Sequence, residues 1–143
     1  MKLPDLPRQL NKREANWSTT IFRSWVLKHF NHSAIFEVKH TRGKSLFPFK
    51  EVKEKQRSKM LQIRHDKFLW KNPDTGDETP PDFFLLVKEP TFVVIKYPKG
   101  VAIIPIDTFL LEEKRSKRKS LTWERANELS TVSFDARIRK DVQ

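Results

Sequence analysis

The sequence predicts an α/β or α+β domain, a mixed β-sheet flanked by helices, and three patterns carry that expectation. Apolar residues recur at four-residue steps in 11–30, the spacing of a helix face, and 51–64 is rich in helix formers. Alternation over 34–40 gives a strand, expected to be mostly buried. Three apolar runs, at 82–87, 91–97 and 101–106, follow one another closely, and the turn residues PKG at 98–100 join the last two as a hairpin. Helices and strands interspersed in this way build layered mixed sheets.

In the first helix, Asn11 is placed to cap and Glu14 to close a capping box three residues on. Trp17, Ile21 and Trp25 form the inward stripe, with Phe22 and Val26 on its flank. Ser18, Thr19 and Thr20 weaken the propensity. The chain breaks at 31–33. In AIFEVKH at 34–40, Ala34, Phe36 and Val38 face one way while Ile35, Glu37 and Lys39 face the other. A loop around Gly43 and Pro48 leads to EVKEKQRSKMLQIR at 51–64, a helix with Val52, Gln56, Met60 and Ile63 on its inner face. Residues 67–70 read as a short strand and NPDTGDETPP at 72–81 as a turn-rich excursion. A helix starts at Asp107. EEKRSKRKS at 112–120 reads as an exposed basic linker, 121–130 as a short C-terminal helical segment, and the end as a frayed tail. The whole of 1–143 is expected to form a single domain.

Composition narrows the function. The chain has 143 residues, 29 Lys and Arg against 18 Asp and Glu, and a net charge of +11. Such a field attracts polyanions. With no cysteine there is no disulfide framework and no thiolate metal site. His29, His32, His40 and His65 have no zinc-ligand spacing. Three glycines cannot supply a Gly-rich nucleotide loop. The N-terminus lacks the apolar core of a secretory signal and no run is long enough to span a membrane, so a cytoplasmic protein, or a phage-encoded one acting in the host cytoplasm, is expected.

The sharpest chemical feature is F-E-V-K at 36–39. Alternation sets the Glu37 carboxylate and the Lys39 ammonium side by side on one strand face among apolar neighbours. Ionised groups are costly there unless they pair or hold a cation. A carboxylate suits a hard cation such as Mg²⁺, and a nearby lysine offsets charge in a transition state. An ordinary salt bridge on an edge strand accounts for the same spacing. The surroundings are strongly basic: residues 38–71 hold 11 Lys and Arg against 3 acids. Arg42, Lys44, Lys50, Lys53, Arg57 and Lys59 are the candidate phosphate contacts, although a pair such as Glu51 and Lys55 needs no ligand. Gln56 on an inner helix face must find hydrogen-bond partners. Near Glu37 and Lys39 it can hold the lysine, a water or a phosphate oxygen; otherwise it is a boundary glutamine. A second basic cluster, at 114–119, either lies along a phosphate backbone or acts as a flexible tail.

AIFEVKHTRGKSLFPFKEVKEKQ at 34–56 resembles the central motif of the RecU-type Holliday junction resolvases, of the PD-(D/E)xK nuclease superfamily. The likeness lies in F-E-x-K, Thr41, Lys44, Ser45, the F-P-F triplet at 47–49 and Gln56, with a looser echo in VVIKY at 93–97 and in 101–111. It implies a restriction-endonuclease-like mixed sheet and a homodimer that cuts branched or four-way DNA with Mg²⁺ or Mn²⁺. It implies Glu37 as metal ligand, Lys39 as catalytic lysine, Gln56 as support from the next helix and Glu14 as the acidic residue of the first helix, a second metal ligand. The departure is equally specific. The superfamily places an aspartate on the strand before E-x-K, yet no Asp or Glu lies between Glu14 and Glu37, and the preceding hairpin is shortened or missing. Either Glu14 completes the site, or Asp66 or Asp82 does, or the domain is a catalytically inactive DNA-binding or architectural protein on the same fold. A basic interaction subunit of a phage or mobile-element complex is a further class.

Overall fold

The computed structural model of the chain describes residues 17–71 and 82–134. Its centre is two β-branched strands, β5 (Thr91–Lys96) and β6 (Val101–Pro105), antiparallel neighbours with Val94 opposite Ile103. Both are buried on both faces, which is why their sequences are continuous apolar runs and not alternating ones. The expected hairpin joins them: the Tyr97 N–H donates to the Gly100 carbonyl at 2.8 Å. β1 (Ile35–His40) pairs in parallel with β5, and β8 (Val132–Phe134) pairs antiparallel with β6, giving the sheet order β1-β5-β6-β8. The sheet is mixed, open and flanked by helices, so the α+β class is borne out at that level.

Each face of the sheet carries its own core. On one side, a π-helical turn (Trp17–Phe22) runs into α1 (Arg23–His29), and Ile21, Phe22 and Trp25 pack on Phe92, Val94, Val101 and Ile103. Rings meet edge to face there, Phe22 with Phe36 at 5.4 Å and Phe30 with Phe36 at 5.2 Å. The break expected at 31–33 is present. Asn11 and Glu14 lie outside the described residues, as do 72–81 and the tail beyond 134.

On the other side, β2 (Leu46–Pro48) and a 3₁₀ turn (Phe49–Glu51) lead into α2 (Glu54–His65). Phe47, Phe49, Val52 and Met60 pack against Val93, Ile95, Ala102 and Ile104 together with Ile106 and Phe109 of α3 (Ile106–Arg115). Burying one such aliphatic side chain is worth about 1.5–3 kcal/mol. β7 (Ser120–Thr122) pairs antiparallel with β2, and Thr122 caps α4 (Trp123–Leu129) by accepting the Arg125 N–H at 3.2 Å.

Three features differ from expectation. The helix of 51–64 begins three residues later, because Phe49 and Val52 must turn inward before α2 can start. The charged run 112–120 divides between the last turns of α3, a short connection and the start of β7. Its basic side chains hide an amphipathic end in which Glu112 and Glu113 take internal ion pairs. Finally, β3 (Lys67–Lys71) and β4 (Phe83–Val87) form a separate antiparallel ribbon outside the main sheet. Leu69, Phe83, Leu85 and Val87 share one exposed face of it.

Candidate catalytic and nucleic-acid site

β1 sets the geometry. Phe36 and Val38 join the α1 core, so Glu37 and Lys39 turn to the α2 side of the sheet, opposite Val93 and Ile95 of β5. Tucking Phe49 and Val52 into the core fixes where α2 begins and aims the first turn of that helix at β1. Gln56 Nε2 donates to Glu37 Oε2 at 2.9 Å, across 19 residues of sequence, and Gln56 Oε1 accepts the Lys53 N–H at 3.0 Å. That side-chain amide therefore satisfies a free N–H of the helix start and clamps the carboxylate at once. Lys39 Nζ lies 3.7 Å from the same Glu37 oxygen, with side-chain exposures of 18% for Lys39 and 23% for Glu37. At that distance the ammonium keeps donors to spare for an incoming oxygen.

Thr41 continues the same side of the strand. Its N–H donates to the Lys96 carbonyl at 3.1 Å, while its buried Oγ1 has no partner among the described residues. The chain then reverses through Arg42 and Gly43, both with positive φ (58° and 85°). Arg42 N–H donates to His40 Nδ1 at 2.7 Å and steadies the turn. Arg42 and Lys44 are thereby held exposed just beyond the end of β1, and Lys50 and Lys53 are exposed before α2.

Two of the six candidate phosphate contacts are placed differently. Arg57, expected among them, is committed to the fold. Its Nε donates to the Val52 carbonyl at 2.8 Å and Nη2 to the Phe49 carbonyl at 2.7 Å, and the guanidinium forks onto both oxygens of Glu113. Donating to the Glu113 carboxylate raises its pKa above the usual arginine value. Lys59 is half-buried, its ammonium 4.5 Å above the Trp70 ring. Neither arrangement has a spacing signal: Glu113 lies 56 residues from Arg57, and Trp70 belongs to the next element.

Of the acids expected to complete a metal site, two lie among the described residues, Asp66 and Asp82. Glu14 lies outside the described residues. Asp66 follows the last turn of α2, about 15 Å along the helix axis from Gln56. Asp82 is exposed ahead of β4 in the ribbon. Among the described residues no three His, Cys, Asp or Glu side chains cluster as metal ligands. The donor set implied by the resemblance, Glu37 with Glu14, is not complete within them, because Glu14 lies outside. What this arrangement does offer is an oriented carboxylate, an ammonium beside it and an unpaired hydroxyl, with exposed cations at one end.

Comparison with protein-family models, with characterised proteins and with solved structures finds no match to this chain. No helix among the described residues is long and apolar enough to cross a membrane.

Proposed function

We propose that this chain is a metal-dependent DNA endonuclease of the structure-selective, Holliday-junction-resolvase-like kind. One observation carries the proposal: Gln56, 19 residues away in sequence, is hydrogen-bonded to Glu37 at the point where Lys39 also meets that carboxylate. A structural E-x-K pair needs no such third member. Attack of water on phosphorus builds negative charge on the non-bridging oxygens, and Lys39 is the ammonium placed to stabilise it. Gln56 is a positioning residue that fixes Glu37. Arg42, Lys44, Lys50 and Lys53 hold the phosphate backbone.

The test is cleavage of four-way and linear DNA in Mg²⁺ or Mn²⁺. Glu37→Ala and Lys39→Ala are each expected to lower the rate by about 100-fold or more while DNA binding persists. Cutting that survives both substitutions removes the assignment. The second reading, a DNA-binding protein that does not cut, is favoured by the net charge of +11 and the exposed Arg42, Lys44, Lys50 and Lys53, which attract a phosphate backbone without any metal. It predicts retained, salt-sensitive binding and no cleavage by the unaltered protein in either metal.

A further inference from the structure

The basic run at 114–119 is a loop tied to the fold at both ends. At the end of α3 the Ser116 N–H donates to the Glu112 carbonyl at 2.8 Å. Just before β7 pairs with β2, the Lys119 carbonyl accepts the Phe49 N–H at 3.1 Å. Between these ties Ser116 Oγ accepts the Arg118 N–H at 3.1 Å. Lys114, Arg115, Lys117, Arg118 and Lys119 are all exposed. The acids that precede the run do not neutralise it, because Glu113 takes the guanidinium of Arg57 and Glu112 that of Arg125. None of the five cations has an acid partner among the described residues.

Two links place this loop beside the candidate site. The Phe49–Lys119 hydrogen bond sets the end of the loop against the residue before Lys50. Glu113, the residue before the loop, is bonded to Arg57, the neighbour of the Gln56 that holds Glu37. Exposed cations therefore follow one another from Lys53 to Lys50 to Lys119 and on into the loop, with Glu51 and Glu54 as the exposed acids along the way.

We propose that the 114–119 loop is a second phosphate-binding segment, which holds the sugar–phosphate backbone of a nucleic acid beyond the stretch bound by Arg42, Lys44, Lys50 and Lys53. This rests on the proposed function for its premise that nucleic acid lies at Glu37 and Lys39. Five like charges on six successive residues repel one another, and a polyanion relieves that repulsion while releasing its own counterions. The ties at both ends mean that little ordering entropy is lost on binding. Lys114 to Lys119 contains no apolar side chain, whereas a basic segment that lies on a lipid surface buries an apolar face there. Contacts of this kind fix position along the backbone and carry no sequence preference.

The experiment is binding of the whole chain to linear duplex DNA without divalent metal, titrated from low to physiological salt. Lys117→Ala combined with Arg118→Ala is expected to weaken binding and to reduce the slope of log affinity against log salt by about 2, on top of the share that belongs to the four cations beside the site. Arg23→Ala combined with Lys28→Ala removes the same charge from exposed positions of α1, on the opposite face of the sheet, and is expected to leave the slope as it was. Equal effects from the two double variants, or an unchanged slope in the loop variant, overturn the inference. So does a loop variant that loses binding to vesicles of equal parts phosphatidylserine and phosphatidylcholine while keeping its DNA affinity. Because binding is read without metal, a chain that binds through the loop and never cuts counts against the proposed activity alone. A chain that cuts while its salt slope ignores the loop counts against this inference alone.

Discussion

Tyr97 shows how one buried residue ties the two ends of the larger core together. Its hydroxyl donates to the Leu121 carbonyl at 2.9 Å and its ring lies against Trp123. Burial raises the phenol's pKa well above its ordinary value of 10.0. A group whose folded pKa is raised contributes stability below its unfolded pKa and loses it as pH climbs past that point. Stability is therefore expected to fall above about pH 10, the unfolded value. Tyr97→Phe should remove that alkaline slope while costing about 1 kcal/mol near neutrality through the orphaned carbonyl. Chemical denaturation of both proteins between pH 7 and 11 measures each part. Glu37 makes the contrasting case at the same scale. Its partner two positions away could be read from strand alternation, but its clamp by Gln56 depends on how α2 is aimed, and only the packing of Phe49 and Val52 determines that.

At the scale of elements, α2 is anchored twice, through Gln56 to β1 and through Arg57 to α3. Adjacent residues in sequence thus have opposite duties, one facing the site and one holding the helix in place. Arg57→Ala is expected to destabilise the fold by about 2 kcal/mol, since it strands Glu113 and two carbonyls. It should leave the salt dependence of DNA binding unchanged; urea unfolding and a binding titration separate the two effects. Much of the element order was legible beforehand. The runs TFVVIK and VAIIP admit little but buried strands, and PKG between them admits little but a turn. What sequence could not give was partnership. The short strand at 67–70 and the apolar run at 82–87 are legible as strands, yet nothing in them says that they pair with each other outside the main sheet. The charge of 112–120 concealed that Glu112 and Glu113 bond inward, because ion pairs spanning many residues leave no periodic trace.

Over the whole molecule the +11 charge is the property with the longest reach. With Arg57 internal and Lys59 on Trp70, the exposed set of Arg42, Lys44, Lys50 and Lys53 remains beside the site. Four released counterions correspond to a slope near −4 in log affinity against log salt, and Lys44→Ala should reduce its magnitude by about 1. Titrations from low to physiological salt measure it; a flat dependence would remove phosphate contact as the basis of binding. The two-sided burial of the central strands has a separate consequence. Val93 belongs to the layer under α2 and Val94 to the layer under α1. Neighbouring positions on one strand are thus independent handles, one for loosening the support beneath Glu37 and Lys39 and the other for loosening the opposite wall, each without direct trespass on the other.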